Sequence, residues 1–237
     1  MNRRRVLAAL GAVILVLVLI PTVRFGRMYY HLSHPVPMHL TLPAGDVAAD
    51  TSNGAKLLAE SLHADHDALM TSFQSQEKLS WCGVASGVTV LGAKGEPESQ
   101  DAFFTPEARA VRSWYKTTFG GMTLADFAAM MRAHGAAAAV HYASEETADS
   151  FRAALSANLA DPTDWLVVNY HRPEVGEKGG GHISPIAAYD PTADMALLLD
   201  VSAYKYPPHW VPAGKLFDAM NTTDSDNHRS RGWVDLR

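Results

Sequence analysis

The chain has 237 residues, 47% hydrophobic and 19% charged, enough apolar material at this length for one sizeable core. Its formal net charge is −5, and the first 24 residues hold four arginines and no acid. The remainder is therefore more acidic still, and nucleic acid is not an expected partner. A single cysteine, Cys82, excludes internal disulfides as the source of stability.

Residues 1–24 read as a secretory signal or signal anchor. Arg3, Arg4 and Arg5 precede Val6–Ile20, fifteen residues without a charged or polar side chain, and Pro21 follows. No small-x-small cleavage pattern comes after Ile20, so an uncleaved anchor competes with a cleaved peptide. The expected location is the periplasm, free or anchored to the membrane. Residues 25–52 carry Pro35, Pro37 and Pro43 with no helical period and read as an extended lead-in. His31, His34 and His39 fall there with a spacing too loose for a metal site, and no metal is expected.

Residues 53–237 read as one folded domain. Asn53 is placed to cap a helix whose apolar face holds Leu57, Leu58 and Leu62. Gly83–Ala93 is a second helix with Trp81-Cys82 at its start, Pro106–Thr118 a third, Leu124–His134 a fourth capped by Thr123, and Thr147–Leu159 a fifth. Trp165–Tyr170, His182–Tyr189, Met195–Val201 and Trp233–Leu236 read as strands between Gly, Pro and Asp turn signals. The Ala136–Ala139 tract is too short to interpret. The expected class is α+β: a helical half bearing the cysteine packed on an antiparallel sheet half.

A thiol at a helix N-terminus meets unpaired N–H groups and the positive end of the dipole, which favours thiolate. Its expected proton partner is His182, which follows Gly179-Gly180-Gly181 and opens an apolar strand. Asp200, after Met195–Leu199, is placed either to cap its strand or to orient that histidine. A hairpin through Asp190-Pro191 would set the two side by side. Gln76, ahead of the helix, can offer an N–H to an oxyanion together with the Cys82 backbone N–H. The bland reading of Cys82, a small buried hydrophobe, stays open on that residue alone.

Four segments carry a resemblance: Ser75-Gln76, Trp81-Cys82-Gly83-Val84-Ala85-Ser86, Gly181-His182-Ile183-Ser184-Pro185-Ile186, and the run from Leu199-Asp200-Val201-Ser202 to His209-Trp210-Val211-Pro212. Together they resemble the phytochelatin synthase catalytic domain over about residues 54–234. The resemblance implies a papain-like fold and cleavage of the Cys-Gly bond of glutathione, with γ-Glu-Cys left on the enzyme and then passed to water or a second glutathione. It makes Cys82 the nucleophile, His182 the acid and base, Asp200 the orienter and Gln76 the oxyanion donor. Through Asn221–Ser225 and Ser230–Trp233 it makes Asp224 and Arg231 the residues that hold the γ-glutamyl head.

It implies no cofactor, heavy metal such as cadmium entering only as a metal-glutathione substrate. The expected partners are glutathione or γ-Glu-Cys peptides, the membrane if the N-terminal segment is uncleaved, and a homodimer as assembly. The chain departs from the family in having Leu79-Ser80-Trp81 where Pro-Ala-Tyr is frequent, and Glu177-Lys178-Gly179 where Gln-Thr-Gly is frequent. A general papain-like peptidase of the cell envelope and a membrane-tethered binding protein remain the alternatives.

Overall fold

A computed structural model describes the backbone from Arg3 and the side chains from Leu15 to Arg237. The arginine triplet and the first part of the apolar run lie outside the described side chains. Among the described residues no helix is long and apolar enough to cross a membrane.

The first helix, α1 (Arg3–Ser33), continues through Pro21 and nine residues into the segment expected to be extended. Packing is the reason. The Phe25 ring lies 5.5 Å from Phe119, and the Tyr29 ring lies 6.1 Å from Trp114 and 6.5 Å from Phe119. The helix stops before Pro35, whose ring disfavours helical geometry in the residue ahead of it. The lead-in beyond it is tied down by Met38 and Leu40, whose N–H groups donate to the Tyr204 and Lys205 carbonyls at 2.7 and 2.8 Å.

After β1 (Val47–Ala48), Thr51 rather than Asn53 caps α2 (Ser52–Glu60), its hydroxyl accepting from the Gly54 N–H at 3.1 Å. A short helix not anticipated from the sequence, α3 (His66–Ser72), precedes α4 (Cys82–Ala93), whose first residue is the cysteine. The helix expected over 106–118 is two. α5 (Pro106–Val111) ends where Arg112 turns extended, and Ser113 restarts the chain as the cap of α6 (Trp114–Gly120). Thr123 and Asp126 form a reciprocal capping box on α7 (Leu124–Ala133). There follow β2 (Ala138–Tyr142), α8 (Ala148–Asn158), β3 (Trp165–His171), β4 (Gly181–Asp190), β5 (Met195–Leu198), β6 (His209–Pro212), α9 (Ala213–Met220) and β7 (Gly232–Leu236).

All seven strands join one antiparallel sheet in the order β1-β6-β5-β4-β3-β7-β2. The class is α+β, but the partition into a helical half and a sheet half is not clean, because β1 and β2 come from the helical half and form the two edges. β2 is held by five paired positions with β7, from Ala138–Leu236 to Tyr142–Gly232. The sheet is buried on both faces. Along β3, Trp165 and Val167 join the core under α4 and α7, while Leu166, Val168 and Tyr170 join the core under α8 and α9, the period of two that strand geometry imposes.

Candidate active site

Three contacts place the N-terminus of α4. The Trp81 indole is fully buried and donates to the Thr118 hydroxyl at 3.0 Å, Ser80 Oγ donates to the Thr118 carbonyl at 2.6 Å, and Ser86 Oγ donates to the Ile183 carbonyl of β4 at 3.0 Å. Gly83 lets the loop before α7 come close, since a Cβ there would sit 2.5 Å from Met122 Sδ. Cys82 is thereby set against the start of β4. Its own backbone N–H, in the first turn, meets no acceptor among the described residues.

His182 opens β4 opposite Tyr170 of β3, and the β4–β5 hairpin returns Asp200 to the same end of the sheet. His182 Nε2 lies 2.9 Å from Asp200 Oδ1 and 2.9 Å from Ser184 Oγ, which leaves Nδ1 for its hydrogen bond with Cys82. Burial pushes the Cys82 thiol up. The hydrogen bond and charge of His182, the Ile183 N–H and the charge of Arg172 outweigh that and leave the thiol below its ordinary value. For His182, burial and Arg172 press downward, and Asp200 with the Cys82 bond raises the imidazole above its ordinary value. Burial acts to raise Asp200, yet Arg172 and His182 hold it well below the usual carboxylate range. Both shifts favour thiolate on Cys82 and imidazolium on His182, the direction a nucleophile with its proton donor beside it requires.

Cys82, Arg172 and His182 line a cleft of about 380 Å³ that Asp224 and Arg231 also line, while Asp200 lies buried behind His182. Arg231 is 7% exposed, and its Nη1 donates to Thr222 Oγ1 at 2.9 Å and to the Thr223 carbonyl at 2.8 Å. Its Nε has no partner, and no carboxylate lies within ion-pair distance of the guanidinium among the described residues. Burial lowers its pKa against the opposing pull of Asp224. The cleft lining thus carries a buried cation and, near it, an acid of opposite charge.

Of the residues read from the sequence, His182 contacts both Cys82 and Asp200, and Asp224 and Arg231 share the cleft with Cys82 and His182. Gln76 is not in the cleft lining. It is buried, its Nε2 donates to the Lys78 and Leu79 carbonyls at 3.0 and 2.9 Å, and its Oε1 accepts from Ser202 Oγ at 2.8 Å. Its amide is occupied in holding the turn that delivers Cys82. Sequence reasoning missed Arg172, which is 2% exposed and donates to Asp200 Oδ1 at 2.8 Å, and Asn169, a buried residue of the cleft wall. The nearest signal for Arg172 was Gly179, at φ 141°, where a Cβ would lie 2.7 Å from Arg172 Cδ. The glycine run makes room for that side chain.

Fold and cleft define a class: an α+β protein with a Cys–His–Asp set beside a cleft that an arginine and an acid also line. A family model for phytochelatin synthase matches residues 38–233, and the chain belongs to that family. It is 34% identical over 202 residues to glutathione gamma-glutamylcysteinyltransferase 1 of Triticum aestivum, covering 81% of this chain and 40% of that one. Against transferase 3 of Lotus japonicus it is 33% identical, covering 70% of this chain and 36% of that one. Against the Schizosaccharomyces pombe transferase it is 23% identical, covering 81% and 49%. The chain therefore spans less than half the length of these relatives.

Proposed function

We propose that the chain is a papain-like thiol acyltransferase that cleaves the Cys-Gly bond of glutathione through a γ-Glu-Cys thioester on Cys82. The observation that carries this is the Cys82–His182–Asp200 contact in one cleft with Arg231 and Asp224. The Cys82 thiolate attacks the cysteinyl carbonyl, whose oxyanion meets the free Cys82 N–H, and His182 gives its proton to the departing glycine amine. Water or the amine of a second glutathione then attacks the thioester while His182 takes back a proton. Asp200 orients the imidazole, and Gln76 contributes by fixing the turn before Cys82. In the same cleft Arg231 takes the donor's α-carboxylate and Asp224 its α-amino group.

The test is mass spectrometry after brief exposure to glutathione. We expect an adduct on Cys82 equal to glutathione less glycine, absent in Cys82→Ala with the fold retained. An intact glutathione disulfide as the sole adduct, or glycine release by the alanine variant, overturns the reading.

The location we propose is the cell envelope, with the N-terminal segment as anchor. The apolar run behind three arginines and the exposure of Leu15–Ile20 on α1 support it. Recovery of the full chain solely in a soluble cytosolic fraction would refute it.

A further inference from the structure

The line of charges behind the cleft runs beyond what a nucleophile, its base and its orienter require. Arg172 uses Nη2 on Asp200 and Nη1 on Glu177 Oε2, so one guanidinium clamps two carboxylates. The other oxygen of Glu177 lies 2.9 Å from His209 Nε2, and both side chains are fully buried. His209 Nδ1 stands 2.8 Å from the Pro207 carbonyl. A carboxylate beside Nε2 and a carbonyl beside Nδ1 both favour the protonated ring, and against the opposing effect of burial Glu177 raises His209 above the ordinary imidazole value.

From the cleft inward the signs then alternate: thiolate, imidazolium, carboxylate, guanidinium, carboxylate, imidazolium. That sequence sums to zero, the condition under which several charges can share a dry interior. Lys205, on the cleft wall, adds a cation that feels Arg172, Asp200, Glu177 and Cys82, and burial first holds it below its ordinary value. Tyr170 donates to Glu177 Oε2 at 3.3 Å, the Tyr206 ring lies 6.2 Å from the His209 ring, and Asp46 acts on both His209 and Glu177 while pairing with Lys215 at 3.4 Å.

We propose that Glu177 and His209 are positioning residues that hold Arg172 on Asp200 and set, by charge, the pH window in which Cys82 and His182 stand as thiolate and imidazolium. This rests on Cys82 being the nucleophile. Neither residue touches the cleft, so their influence passes through Arg172. The sign of each effect follows from charge alone. Losing the Glu177 carboxylate leaves surplus positive charge, which favours thiolate and disfavours imidazolium, so both groups titrate at lower pH. Losing the His209 charge does the opposite. Losing both restores neutrality. Glutamine matches glutamate in size and shape and removes only the charge, so Glu177→Gln tests the charge with least disturbance of the packing.

The experiment is the rate of Cys82 alkylation by iodoacetamide against pH, on the full chain and on Glu177→Gln, His209→Gln and the double variant. Because Cys82 is the lone cysteine, the signal is single-site. We expect the midpoint to fall by about 0.5–1 pH unit in Glu177→Gln, to rise by a similar amount in His209→Gln, and to return to within ~0.3 unit of the parent in the double variant. The alkaline limb of kcat/KM with glutathione moves in the same directions. Single variants that shift together, or a midpoint unmoved in Glu177→Gln, would overturn the proposal. Should His209→Gln not fold, the unmoved or lowered midpoint of Glu177→Gln still decides. A purely structural role would lower stability without moving the midpoint. Alkylation needs no glutathione, so a failed glutathione adduct and a failed charge chain are separate results.

Discussion

Asp200 and Asp65 are both carboxyls shut away from water, at 0% and 1% exposure, and the molecule treats them in opposite ways. Asp200 accepts from His182, from Arg172 and from the Ser202 N–H, and it stays ionised. Asp65 heads α3 in helical geometry, so its side chain does not cap, and neither oxygen finds a donor. Burial first, then the charges of Asp164 and Asp161, push it up to about 8. Burial penalises the charged form in both places; donors and cations decide whether the penalty is overcome. Arg231 is the cationic middle case, buried, held by threonine oxygens, and left with an Nε that has no partner.

Breaking the well-partnered end should cost most. Asp200→Asn leaves the buried Arg172 guanidinium with one carboxylate, Glu177, in place of two and removes the charged acceptor that orients His182. Removing one member of a buried pair costs about 3–5 kcal/mol. At about 2–4 °C per kcal/mol for a chain of this size, the melting temperature should fall by roughly 6–20 °C. Turnover with glutathione should drop by about a hundredfold or more in a variant that still folds. A melting temperature within a degree or two of the parent would mean that Asp200 and Asp65 are not the opposites described.

Next comes Arg231→Ala, where the free donors make the case intermediate. A charge-assisted contact to the donor carboxylate is worth on the order of 1.5–3 kcal/mol, hence roughly ten- to a hundred-fold in KM with kcat reduced less. If the guanidinium serves only to tie Thr222 and Thr223 together, KM moves less than about threefold and stability falls instead. Repeating the measurement with a donor that lacks the γ-glutamyl α-carboxylate sharpens the answer, because the parent should discriminate against it and the variant should not.

The difference between these places also explains what the sequence made legible. Cys82, His182 and Asp200 announce themselves through local pattern: a thiol ahead of an apolar helix, glycines before a strand, an acid after one. The β4–β5 hairpin that unites two of them is equally local. Arg172 and Glu177 gave no such sign, because their partners, Asp200 and His209, come from strands folded back over them. Nor did Asp65, whose solitude depends on the Asp161–Asp164 loop arriving without a cation to spare. Gln76 was legible as a side chain suited to an oxyanion ahead of Cys82, but its place in the sequence could not show that its amide bonds to the Lys78 and Leu79 carbonyls. The long reach of α1 and the break at Arg112 were hidden for the same reason, since ring packing against Phe119 and an extended φ at one residue are not written in periodicity.

The smallest effect, and the most direct test of the contrast, belongs to Asp65→Asn. In the folded protein Asp65 keeps its proton up to about 8, whereas in the unfolded chain it gives it up near 4. The folded state therefore binds the extra proton throughout that interval. Its stabilising share is complete below about pH 4, shrinks by at most ~1.4 kcal/mol per pH unit as pH rises, and is gone above about pH 8. Asparagine does not titrate, so the variant should lose this slope. Its buried amide also lacks partners, a cost of about 1–3 kcal/mol that is the same at every pH. The quantity to read is thus the difference in melting temperature between pH 5 and pH 6.5, which should be smaller in the variant by roughly 4–8 °C, for about 2 kcal/mol of linked stability. Parallel curves for parent and variant would mean that Asp65 is ionised in the fold, and that some cation reaches it after all.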